Sequence, residues 1–164
     1  MSTTLRRCDA RDVPRLAEMR RSRECWMRDR GIDQWEIGSL AATMIAEQVA
    51  RGEWFRLHGP SEDLLAAARL LEADPEFWGA DIGPALYVHA LMVDVSAAGR
   101  GLGRRVLELA AKEAAARELS MLRLDCAPHL LPYYAAQGFV QVGVKEFPQF
   151  ITVLLEQELG DDGS

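Results

Sequence analysis

Apolar positions recur along the chain with two different periods. Val13, Leu16, Ala17, Met19, Trp26 and Met27 fall at helical spacing, which predicts a first helix running to about Arg30, where Gly31 ends it. Asp9, Asp12 and Pro14 are residue types that start helices. A second helix is predicted over residues 39–50, capped by Ser39 and stopped by Gly52. Leu102, Val106, Leu109 and Ala110 form the stripe of a long helix over 102–117 and leave Arg104, Arg105, Glu108 and Lys112 for solvent. Over residues 85–95 the period is two: Leu86, Val88, Ala90 and Met92 alternate with Tyr87, His89, Leu91 and Val93. That segment is apolar on both faces, as a central strand should be.

Shorter strands are predicted at 4–8, 53–58, 64–71, 121–126, 139–144 and 150–156. The Ala/Leu content of 64–71 suits a helix, but the turn residues Gly59-Pro60-Ser61-Glu62-Asp63 before it favour a strand. Residues 74–84, rich in Pro, Gly and aromatics, read as a loop. Residues 130–137 read as a short helix ended by Gly138. The order β-α-α-β-β-β-α-β-α-β-β predicts a mixed α/β (α+β) fold, with antiparallel pairing ahead of a central β-α-β unit. No repeat or linker interrupts it, so one domain is expected over 1–159, with a polar tail over 160–164.

The 164 residues suffice to bury a core without staples. The net charge of −6 argues against nucleic acid as a partner. No apolar run approaches the roughly 20 residues that cross a bilayer, and Met1–Arg7 has no apolar leader, so no membrane partner and a cytoplasmic location are expected. Charge is uneven: residues 1–30 carry nine Arg and five acids, and the remainder ten basic and twenty acidic residues. The simplest reading of the basic start is a solvated helix face. Cys8, Cys25 and Cys126 show neither CxxC nor Cys/His metal spacing, so no disulfide framework and no metal are expected. Cys126 reads as a small buried residue at a strand end.

Ser96-Ala97-Ala98-Gly99-Arg100-Gly101-Leu102-Gly103-Arg104-Arg105 joins the central strand to the long helix. Glycines let backbone N–H groups turn inward and a ligand approach closely. A helix N-terminus favours anions, and three arginines add charge. A diphosphate fits. A dinucleotide on a Rossmann unit gains support from the strand, the helix and Asp125 about twenty residues on. Against it, the spacing is GxGxG, Arg104 stands where a third small residue should be, and only about forty residues follow Asp125. The Walker lysine pattern is absent.

The same segment resembles the GNAT acetyltransferase superfamily, whose signature is a strand, then [Gln/Arg]-x-x-Gly-x-[Gly/Ala], then a long helix. Ala98-Gly99-Arg100-Gly101-Leu102-Gly103 matches except that Ala98 replaces Gln or Arg. Tyr133-Tyr134-Ala135-Ala136-Gln137-Gly138-Phe139 is similar to the family's Leu-Tyr-x-x-x-Gly-Phe element. The resemblance is specific over 85–144 and general before that. Gly31-Ile32-Asp33-Gln34-Trp35 resembles a segment of bacterial members of unassigned substrate.

The resemblance implies a mostly antiparallel sheet of six to seven strands, about four flanking helices and a splayed central parallel pair. It implies acetyl-CoA as co-substrate and transfer to a primary amine of a small molecule or peptide in a ternary complex. Leu91, Met92 and Val93 match the main-chain positions that pair with pantetheine, and an N–H there can steady an oxyanion. Ala98, Gly99, Arg100, Gly101, Leu102, Gly103 and Arg104 would hold the pyrophosphate. Tyr134 matches the tyrosine that protonates the departing thiolate.

A basic amine must lose a proton before it attacks. The candidate bases are His89, which alternation would put on one face with Leu91 and Val93, Asp125, and Glu72 with Asp74. His58 and His129 read as loop residues. Against the family it resembles, the link Ala127–Pro132 is about three residues short and lacks the Asn that contacts CoA, so His129 or nothing takes that place. This departure keeps open a CoA-binding sensor or partner subunit with little transferase activity. Exposed strand edges permit a homodimer. Trp26, Trp35, Trp54, Trp78 and Phe77 read as core or pocket wall.

Overall fold

The computed structural model describes residues 4–32, 38, 40–58, 62–80 and 83–160. The proposed Ser39 cap, Trp35 and the Gly59–Ser61 turn lie outside the described residues, as does most of the polar tail. The fold is mixed α/β. Strands β1 (Thr4–Arg7), β2 (Trp54–His58), β3 (Ala66–Leu71), β4 (Leu86–Val93), β5 (Met121–Cys126), β6 (Val140–Glu146) and β7 (Ile151–Glu158) form one sheet in the order β1-β2-β3-β4-β5-β7-β6. β4 and β5 are parallel, with Leu86 opposite Leu122 and Val88 opposite Leu124. The pairs β1–β2, β2–β3, β5–β7 and β6–β7 are antiparallel. The helices are α1 (Val13–Asp29), α2 (Ala42–Ala50), α3 (Pro75–Trp78), α4 (Leu102–Ala116) and α5 (Leu131–Ala135). No helix among the described residues is long and apolar enough to cross a membrane.

The chain divides into two compact units, Met1–Arg69 with Ala90–Leu109, and Leu70–His89 with Ala110–Ser164. In the first, Cys8, Leu16, Met19, Ile45, Val49, Trp54, Leu64, Ala67 and Met92 pack as one apolar core. Trp54 is fully buried, and its indole N–H donates to Gln48 Oε1 at 2.9 Å, which satisfies its one polar atom. Asp9 caps a 3₁₀ turn, Ala10–Asp12, through a capping box, and α1 follows with Pro14 in its first turn. α2 begins at Ala42, three residues later than predicted.

The basic first thirty residues are not simply a solvated face. Arg20 is buried, its Nε 3.2 Å from Glu24 Oε2, and Glu24 Oε1 accepts the Gly38 N–H at 3.0 Å. Arg15 reaches Asp94 at 3.2 Å. The guanidiniums of Arg23 and Arg30 lie 4.5 and 4.0 Å from the Trp26 ring centre, within cation–π range.

In the second unit, β5 pairs with β7 along six positions, Met121–Glu158 to Cys126–Val153. Arg123 is its polar hub: Nη1 donates to the Tyr87 hydroxyl at 3.0 Å and Nε to Glu156 at 3.2 Å, and the guanidinium lies 5.2 Å from the Trp78 ring centre. That contact holds the C-terminal end of α3. The predicted 74–84 loop thus contains a helical turn. Asp74-Pro75-Glu76 is a helix start by residue type, but four residues are too few to show periodicity.

Candidate active site

In the first unit, β4 leads through Asp94 and a 3₁₀ turn, Val95–Ala97, to Ala98. Gly99 and Gly101 follow with φ of 79° and 73°, a conformation that costs other residues about 1–2 kcal/mol. The Arg105 N–H donates to Gly101 O at 3.1 Å and opens α4. Ala98–Gly101 are exposed, Leu102 is half-buried and Gly103 is buried. A Cβ on Gly99 or Gly101 would meet no protein atom within 4 Å. The Cβ directions there face open space, which leaves room for a ligand to approach the backbone. Arg100 is exposed, while Arg104 and Arg105 share Glu108 at 3.3 and 3.2 Å.

Upstream, Ala90 has φ 50°. A left-handed residue inside a strand interrupts its alternation; it falls where the two units divide, with His89 in the second and Leu91 and Val93 in the first. Met92 is buried in the core, and Leu91 and Val93 are half-buried. Nothing in the sequence signals this kink, because alanine carries no left-handed preference.

The second unit brings His89, Asp125 and Asp74 together, with one donor atom of each within 4.8 Å of the others. Asp74 precedes α3 in the N-cap position, yet its carboxylate caps nothing. A capping Asp is worth about 1 kcal/mol. Instead Asp74 Oδ2 lies 3.0 Å from His89 Nε2. The two atoms are close but lack hydrogen-bond alignment, and both are buried without a hydrogen-bond partner. Phe77 packs on the imidazole at 5.9 Å between ring centres and on Phe147 at 5.1 Å.

Asp125 Oδ2 accepts from Thr152 Oγ1 at 2.7 Å. Burial pushes the Asp125 carboxyl above its ordinary range, and nearby Asp74 adds to this, against the Thr152 bond and His89. Thr152 had no sequence signal beyond its place in the last strand. Glu72 stays out of the cluster: it is exposed, 3.9 Å from Arg117. With Asp74, Gly79, Gly83 and Tyr87 it lines a cavity of about 450 Å³.

Tyr134 lies in α5, where its carbonyl accepts the Phe139 N–H at 3.2 Å. Its ring packs edge-on to Phe139 at 6.0 Å and Tyr133 at 5.0 Å. Burial, and then the neighbouring Cys126, push the phenol far above its ordinary pKa, so it stays a protonated donor. Cys126 is buried and its thiol is pushed up to about 12, chiefly by burial. A thiol held protonated is a poor nucleophile. His129 is exposed in the 3₁₀ turn Pro128–Leu130. His58 closes β2 instead of lying in a loop.

Residues 55–153 match the family described as "Acetyltransferase (GNAT) domain". The uncharacterized N-acetyltransferase YesJ of Bacillus subtilis (strain 168) is 34% identical over 129 residues, 72% of this chain and 71% of that protein. A GNAT-family acetyltransferase from Listeria monocytogenes superposes with a TM-score of 0.80 at 21% identity, covering 97% of this chain and 98% of its own. AAC(6')-Ib in complex with ribostamycin and coenzyme A gives 0.72 at 20% identity, over 96% and 94%. The glycine turn and the tyrosine turn both fall inside the matched segment, and the chain belongs to the GNAT acetyltransferase family.

Proposed function

We propose that this chain is an acetyl-CoA-dependent N-acetyltransferase that acts on a primary amine by direct transfer. The observation that carries the reading is the Gly99–Gly103 turn at the start of α4, with its left-handed glycines and open backbone, in a chain of this family. Ala98–Arg104 would take the pyrophosphate through main-chain N–H groups and the α4 dipole. Leu91–Val93 would offer main chain to pantetheine, and an N–H there would hold the developing oxyanion. A relative in fold, AAC(6')-Ib, has coenzyme A in its structure, which supports acetyl-CoA as the donor.

The neutral amine attacks the thioester carbonyl. The tetrahedral intermediate then expels the CoA thiolate, and Tyr134 gives it a proton. His89 is the favoured base, because Asp74 stands 3.0 Å from its Nε2 and a neighbouring carboxylate orients an imidazole for proton transfer. Asp125 is the second candidate. The acidic lining of the cavity at Glu72 and Asp74 favours a cationic acceptor over an anionic one. Cys126 takes no part, since burial holds its thiol protonated.

The test is incubation with acetyl-CoA and a panel of small amines and peptides, reading free thiol. Amine-dependent thiol release is expected. Tight CoA binding with no release across the panel would replace the enzyme with a CoA-binding sensor.

A further inference from the structure

We propose that Asp74, His89 and Asp125 form a binding site for one divalent transition-metal ion of the kind that takes nitrogen and oxygen donors, such as Zn²⁺, Co²⁺ or Mn²⁺. The three residues come from the start of α3, from β4 and from β5, so no sequence spacing announces them. One imidazole and two carboxylates make a donor set that suits these ions. Their donor atoms lie within 4.8 Å of one another. His89 Nε2 and Asp74 Oδ2 are 3.0 Å apart. Cis donors about 2.1 Å from an octahedral ion stand about 3.0 Å apart, against about 3.4 Å in a tetrahedron.

The second observation is the orphaned pair. Asp74 is only 8% exposed, and neither its Oδ2 nor His89 Nε2 has a hydrogen-bond partner. Buried polar groups are normally satisfied. Two buried polar atoms 3.0 Å apart that make no aligned hydrogen bond are what a cation bound to both would satisfy. Asp74 also leaves the N-terminus of α3 uncapped, so its carboxylate is held at the cluster at the expense of local helix stability.

A supporting shell exists as well. Thr152 Oγ1 donates to Asp125 Oδ2 at 2.7 Å and fixes that carboxylate. The Phe77 ring, itself packed on Phe147, sets the tilt of the imidazole. Outer groups of this kind orient metal ligands. On the reading of His89 as the base, an ion on Nε2 in place of the Asp74 carboxylate contact would make the imidazole a weaker proton acceptor. The metal would then inhibit acetyl transfer.

The test is titration of the chelator-treated full-length protein with Co²⁺, followed by visible absorption and calorimetry. One ion per chain is expected, without the thiolate charge-transfer band that cysteine ligation would give. His89→Ala and Asp74→Asn should each weaken binding at least tenfold, while Glu72→Gln leaves it unchanged. Circular dichroism shows that each variant is folded. Should either ligand variant fail to fold, Asp125→Asn and competition by Zn²⁺ on the parent protein serve in its place. No ion bound, a thiolate band, or equal affinity in parent and ligand variants would overturn the site. Binding is read without acetyl-CoA, so its failure is separate from failure of the transferase reading. If the site binds but added Zn²⁺ leaves amine-dependent turnover unchanged, the inhibitory role falls and the site remains.

Discussion

Replacing Tyr134 by Phe removes one hydroxyl and keeps the ring. The contacts to Phe139 and Tyr133 at 6.0 and 5.0 Å involve the ring and survive. Stability should change by about 1 kcal/mol or less, and Tm by no more than about 4 °C for a chain of this size. Catalysis should change more. An ordinary thiol has a pKa of about 8.5. Expelling it as thiolate at pH about 7.5, without a donor, costs about 1.4 kcal/mol, or roughly tenfold. A positioned general acid can contribute about 10²-fold or more.

The expected result for Tyr134→Phe is therefore a kcat at least tenfold lower, with CoA affinity by calorimetry within about twofold of the parent. The phenol is held protonated by burial. The parent should consequently show no loss of kcat between about pH 8 and 9.5 that the variant lacks. Equal kcat in the two proteins would refute the role of Tyr134. So would a loss of CoA affinity as large as the loss of turnover, because the hydroxyl would then be a binding contact.

Gly101→Ala places a Cβ in open space at φ 73°. It should cost about 1–2 kcal/mol in denaturant melts and raise the CoA Kd beyond that of Gly31→Ala, a control at φ 68°; equal CoA affinity would clear the turn of ligand contact. Glu24→Ala removes the buried carboxylate that pairs with Arg20 and accepts the Gly38 N–H and should destabilise by about 3 kcal/mol in chemical denaturation. Cys8 and Cys126 are buried with thiols pushed up to about 12, so at pH 8 only about one in 10⁴ is thiolate. Iodoacetamide followed by peptide mapping should thus mark Cys25 first, and early labelling of Cys126 would contradict its burial.

Most of the architecture was readable because the long periodic segments dominate it. Residues 102–117 carry a helical stripe and residues 85–95 a two-faced apolar run, and both elements form close to the predicted bounds. Even the Ala-rich 66–71 segment is a strand, as its preceding turn residues suggested against its propensity. Short elements were harder. α3 spans four residues and shows no period. The Ala90 kink is imposed by surroundings and not by its own side chain. The Gly99–Gly103 turn and Tyr134 were legible because each is local in sequence. The Asp74–His89–Asp125 cluster was not, because it joins three elements, and the partner of His89 sits at the start of the helix that was read as loop. Arg20 and Glu24 look like surface charges at helical spacing, and only the packing of α1 makes them an interior pair.

The most direct test of the account follows carbon from the donor. The protein is incubated with acetyl-CoA labelled in the acetyl group and with an amine that supports thiol release, and both product and protein are examined by mass spectrometry. Direct transfer predicts the label on the acceptor nitrogen and an unlabelled protein, Cys126 included, at every time during turnover. An acetylated Cys126 that forms and decays at the rate of turnover would contradict the account, and so would thiol release that leaves the amine unlabelled.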